Sequence, residues 1–115
     1  MDIYDSANTL ADEIRKSDLR REHARLQHEV MADETSRTLL KEYKRLQWSM
    51  QMQSMGGTQP SPEDTARFTK LSSLLFMNAD VQAYLLAEMK LQKTLADVFK
   101  LLTDAAGISM DVLGQ

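Results

Sequence analysis

Ile3, Ala7, Leu10 and Ile14 recur at intervals of four, three and four residues, the spacing that lines apolar side chains along one face of a helix. Asp2 stands just ahead of them, where a carboxylate accepts hydrogen bonds from the first free amides, so a short amphipathic helix is predicted. Ser17 and Asp18 supply a second N-terminal signal, and Leu19, His23, Leu26 and Val30 then form a stripe that runs out near Asp33. From there Leu39, Tyr43, Leu46 and Met50 share one face of a longer helix, with Trp48, Met52 and Met55 on a neighbouring face.

The stretch GGTQPSP, residues 56–62, breaks this pattern, because paired glycines and two prolines within seven residues do not fit a helix interior. The second half restarts with Ser61 as N-cap, Pro62 at the first helical position, and Glu63 and Asp64 against the positive end of the helix dipole. Phe68, Leu71 and Leu75 are predicted to face inward. Asn78 can end that helix and cap the next, and Gly107 supplies a stop before a tail at 108–115. In heptads from Val81, the last helix places Val81, Glu88, Leu95 and Leu102 at one seam position and Tyr84, Leu91, Val98 and Ala105 at the other. Leu85, Gln92, Phe99 and Ala106 flank them. A face this wide suits a helical bundle better than a narrow coiled-coil seam. The expectation is an all-α single domain over 1–115, built on a long antiparallel helical hairpin with shorter N-terminal helices. The N-terminal helices and first long helix occupy 1–55, and the helices of the second half occupy 63–107.

Composition supports helices: only 4 Gly and 2 Pro punctuate the 115 residues, while Met, with 8 copies, Leu, Ala, Lys, Gln and Glu abound. A net charge of -3 argues against a protein whose main task is coating nucleic acid or an anionic membrane. The absence of cysteine excludes disulfides, thiolate metal sites and cysteine nucleophiles. No apolar run approaches the roughly 18 residues needed to cross a bilayer, so membrane insertion is not expected and a cytoplasmic location is.

Candidate chemistry is sparse. His23 and His28 are five residues apart, which turns them about 140° from each other on a helix, so they cannot chelate one ion alone. His23 is expected to be a hydrogen-bonded inner or interfacial residue and His28 to face solvent. No nucleophile, acid–base pair or phosphate loop stands out, so no enzyme and no cofactor are expected. Nine of the 14 cationic side chains fall between Arg15 and Arg45, against six acids, and Arg20, Arg21, Arg25, Lys41, Lys44 and Arg45 form a candidate RNA-binding surface. Such mixed charge is more often a solvated helix face. Trp48, Met50, Met52 and Met55 either fill the end of the bundle or form an interface, since methionine adapts to partner helices and tryptophan is enriched in interface hot spots. Glu88 and Gln92 make one polar spot on the apolar face of the last helix. They either reach solvent at the rim or make a buried polar contact, with Tyr43, Gln47, His23 or an arginine of a second chain, that sets register.

Three segments together carry a resemblance: IYDSANTLADEIRKSD, VMADETSRTLLKEY and, above all, NADVQAYLLAEMKLQKTLADVFKLL. In their order and in the position of the loop, they resemble the YlbF/YmcA family over nearly the whole length, on its YheA-like side. The resemblance implies an all-helical protein without enzymatic activity that self-associates as a dimer or tetramer. It also implies protein partners connected with competence, biofilm development or mRNA processing. Some relatives hold iron–sulfur clusters through cysteines, which this chain lacks. The expected function is a non-catalytic, oligomeric adaptor or regulatory protein, with a direct RNA-binding module using the Arg20–Arg45 surface as the alternative.

Overall fold

The computed structural model describes residues 2–108, so the predicted tail lies outside the described residues from Ser109 onward. Five helices follow one another: α1 (Ile3–Arg15), α2 (Asp18–Ala32), α3 (Glu34–Met55), α4 (Pro62–Phe76) and α5 (Ala79–Ala106). No strand occurs among the described residues, and the all-α expectation holds.

Each helix begins where a short polar side chain can reach a free amide. Asp2 accepts from the amides of Tyr4 and Asp5, and the Ser17 hydroxyl from that of Arg20. Asp33 accepts from the Ser36 amide, and this hydrogen bond holds the Asp33 carboxyl below its usual range. The Ser61 hydroxyl accepts from Asp64 N–H ahead of Pro62. Asn78 uses its amide oxygen to cap α5 at Val81 and its amide NH2 to donate to the Ser36 hydroxyl, 2.9 Å away. Ser36 is buried, so this bond satisfies a hydroxyl that water cannot reach. Gly57 and Gly107 take φ of 82° and 78°, the left-handed conformation in which chains commonly leave a helix and which a side chain would strain.

The chain divides into two compact units, one spanning Ala24–Leu85 and the other formed by the segments on either side of it. Within Ala24–Leu85, α3 and α4 pack against each other. They run antiparallel: Tyr43 stacks on Phe68 with ring centroids 5.2 Å apart, and Ser36, farther back along α3, meets Asn78 just beyond α4. Leu26, Val30, Leu40, Leu46, Leu71, Leu75, Val81 and Tyr84 are buried here. Of the adjacent Leu39 and Leu40 of α3, Leu40 is buried and Leu39 half-buried, because the inward face is centred on Ser36, Leu40 and Tyr43.

The other unit holds α1, the first turn and a half of α2 and the greater part of α5. Among its described residues only Ala87 and Thr103 are buried, while Leu10, Ile14, Leu91 and Val98 are half-buried. The seam of α5 therefore changes character along its length. Val81 and Tyr84 are 0% and 3% exposed, whereas Leu95, Phe99 and Leu102 are 45%, 52% and 57% exposed. The inward role expected from the heptads thus holds in part beyond the first turns: Leu91 and Val98 are half-buried, while Leu95, Phe99 and Leu102 are exposed.

Candidate functional site

Trp48, Met52 and Met55 are spaced four and three residues apart near the end of α3, so they share one face, and that face is exposed: Trp48 by 63% and Met55 by 81%. Met50 lies about 200° round the helix from Trp48 and is half-buried. Of the four residues grouped by sequence, three thus point away from the chain's own core, and packing of that core does not account for them.

The polar spot on α5 also divides. Glu88 meets His23 of α2, Oε1 to Nε2 at 3.4 Å, with both side chains largely covered. Gln92, one turn on, is exposed. Glu88 is thus half-buried against a histidine, while Gln92 faces outward. His28 is exposed, as its angle to His23 required.

The six basic candidates do not act as one set of unoccupied charges. The Arg21 guanidinium donates to the Lys16 carbonyl at 2.7 Å and lies 4.0 Å from Asp18, and Arg25 pairs with Glu29 at 2.8 Å. The Lys44 ammonium sits 5.3 Å from the centroid of the Tyr84 ring, a cation–π contact that anchors it beside a buried aromatic. Arg20, Lys41 and Arg45 are exposed. Glu42, which neighbours Lys41 and Arg45 on α3, binds Arg67 of α4, because the antiparallel packing brings that guanidinium within reach.

Sequence reasoning missed the outward face of distal α5. The heptads put Leu95 and Leu102 in the seam and Phe99 beside it, but the same apolar periodicity describes an inward or an outward stripe. Among the described residues no three His, Asp or Glu side chains come together to hold a metal, and a cysteine-ligated cluster has no ligands in this chain. No described helix is long and apolar enough to cross a membrane.

A family model described as "Control of competence regulator ComK, YlbF/YmcA" matches residues 3–105. The chain belongs to the YlbF/YmcA family. Among its relatives are UPF0342 proteins of Halothermothrix orenii, 28% identical with 89% of this chain and 86% of the relative covered, and of Lactobacillus delbrueckii subsp. bulgaricus, 31% identical with 87% and 86% covered. Two solved structures share the fold. One is a protein of unknown function (DUF964) from Bacillus stearothermophilus, with TM-score 0.81, 20% identity, and 91% of this chain and 92% of that one covered. The other is Bacillus subtilis RicA, solved in complex with RicF, with TM-score 0.63, 18% identity, and 91% and 93% covered.

Proposed function

We propose that this YlbF/YmcA protein is a non-catalytic adaptor that works by binding other protein chains, including copies of itself. The observation that carries the reading is the Trp48–Met52–Met55 face, a tryptophan flanked by flexible thioethers on an exposed helix surface. Large apolar side chains grouped on one exposed face mark interaction surfaces, and a Trp with adaptable methionines around it suits a helical partner. The family's link to control of a competence regulator and RicA's complex with RicF support a role exercised through protein contacts. The basic residues favour RNA less, since Arg21, Arg25 and Lys44 already have partners within the chain.

The test is affinity capture from the native host's lysate with the wild-type chain and with a Trp48→Ser, Met52→Ser variant, followed by mass spectrometry. A stable protein partner recovered by the first and lost by the second is expected. RNA recovered instead, with binding that falls steeply as salt rises, would replace this reading with direct nucleic-acid recognition.

A further inference from the structure

Lys41, Arg45, Trp48, Met52 and Met55 follow one another along α3 at four, three, four and three residues, and all five are exposed. At about 100° per residue they fall within an arc of about 80°, so they form one straight stripe about 21 Å long. It lies on the far side of α3 from Ser36, Leu40 and Tyr43, the face that packs inward. The stripe has two halves: its first turn is cationic, and the two turns after it carry an indole and two thioethers.

Both cations are available. Among the described residues neither the Lys41 nor the Arg45 side chain has an ion pair or hydrogen bond. Arg37, one turn before Lys41, is by contrast half-buried and donates to the Met31 carbonyl, and Lys44 rests against the Tyr84 ring. The two acids of α3 do not neutralise the pair: Glu42 is bound to Arg67, and Glu34 shares the face but stands seven residues before Lys41, about 10 Å along the axis. Two uncompensated positive charges therefore abut the apolar half.

This order of charge and hydrocarbon prescribes the partner. A chain laid along α3 must meet Lys41 and Arg45 with carboxylates about 6 Å apart, and then Trp48, Met52 and Met55 with apolar side chains. A helix with two acids one turn apart, followed by two turns of apolar residues, presents both on a single face, because its own side chains four and three apart repeat at the same heights. The indole and the thioethers supply most of the contact, while the two cations fix its polarity and exclude basic partners. RNA fits less well: a strand that tracks the two cations runs onto thioethers at one end and toward the Glu34 carboxylate at the other, and neither binds phosphate.

We propose that the α3 stripe is a docking site for an acidic amphipathic helix of another protein, with Lys41 and Arg45 reading its carboxylates and Trp48, Met52 and Met55 covering its apolar face. The proposal rests on the reading of the Trp48 face as the partner-binding surface and names the chemistry of what binds there.

Trp48 is the only tryptophan of the chain, so its emission reports on the stripe directly. The probe is a synthetic helical peptide with Glu, Glu, Leu, Leu and Leu at the spacing of the α3 stripe, and its twin has Lys in place of both Glu. Titrated into the full chain, the glutamate peptide is expected to shift the emission to the blue and to bind about tenfold more tightly than the lysine peptide, with the difference shrinking as salt rises. A Lys41→Glu, Arg45→Glu variant should reverse that preference, whereas damage to the fold would weaken both peptides. Equal binding of the two peptides, or binding of neither, overturns the proposal. So does an oligouridylate that binds the stripe more tightly than the glutamate peptide, which would mean RNA, or a blue shift that grows with the concentration of the chain alone, which would mean that a second copy covers the stripe. A partner captured from lysate that is lost with Trp48→Ser, Met52→Ser but kept with Lys41→Glu, Arg45→Glu would overturn the acidic preference and leave the adaptor reading intact.

Discussion

The first turns of α5 and its last turns bear the same apolar spacing and serve opposite ends. At the start, Val81 and Tyr84 are buried in the Ala24–Leu85 unit, with Asn78 capping the helix and the Lys44 ammonium over the Tyr84 ring. At the end, Leu95, Phe99 and Leu102 stay exposed, backed by an ionic rib of i,i+4 pairs. Burial at one end stabilises this chain; exposure at the other leaves apolar area whose removal from water can stabilise an association. An apolar stripe is thus a statement about a helix, and which neighbour covers it is a separate matter.

The largest effect should come from comparing two aromatics of this helix. Tyr84→Ala removes a buried ring and should cost about 3–5 kcal/mol in urea denaturation, whereas Phe99→Ala, measured at concentrations where the chain is monomeric, should cost under about 1 kcal/mol. Equal losses would mean that the chain itself covers distal α5, and the contrast would collapse. Asn78→Ala withdraws both the α5 cap and the partner of the buried Ser36 hydroxyl, and should lower stability by about 1–3 kcal/mol. Asn78→Asp, which keeps the cap but loses the NH2 donor, should recover part of that loss.

The middle of the helix gives a finer contrast. Glu88→Ala leaves the largely covered His23 ring without its carboxylate partner and should cost about 1 kcal/mol; Gln92→Ala, one turn on and exposed, should change the melting temperature by no more than about a degree. The caps differ in their response to pH. Asp33 has its carboxyl value lowered, chiefly by the hydrogen bond from the Ser36 amide, so its contribution is present above the ordinary carboxylate range and is lost as pH falls through the lowered value. Asp33→Ala should therefore reduce the melting temperature near neutrality and approach the wild type in strong acid, whereas the deficit of Asn78→Ala should persist. The smallest effect belongs to the ionic rib: Lys93→Ala in the monomer should cost no more than about 0.5 kcal/mol, and less as salt is added.

Much of this was legible in the residues. Asp2, Ser17, Asp33, Ser61 and Asn78 stand where each helix starts, because a capping bond spans only two or three residues and needs no knowledge of the rest of the fold. Gly107 ends α5, as its place after the last apolar residues predicted. The candidate surfaces were legible only in part. Trp48, Met52 and Met55 were recognised as a group, yet their spacing is the same whether a stripe faces its own core or another chain. The pairing of Glu88 with His23 joins residues 65 positions apart, one of several partners that helical geometry left open.

By itself, the sequence determined what local interactions govern: five helices, their caps, the break at residues 56–62, and the exclusion of thiolate chemistry by the lack of cysteine. Tertiary structure decided which stretch of each apolar stripe is covered. It buried Leu40 rather than Leu39, gave Glu42 to Arg67, and left Leu95, Phe99 and Leu102 outward. The physical reason is that capping and helical periodicity act over a few residues, whereas burial depends on which faces of a helix meet a neighbour, so that on α5 Val81, Tyr84 and Thr103 are covered and Leu95, Phe99 and Leu102 are not.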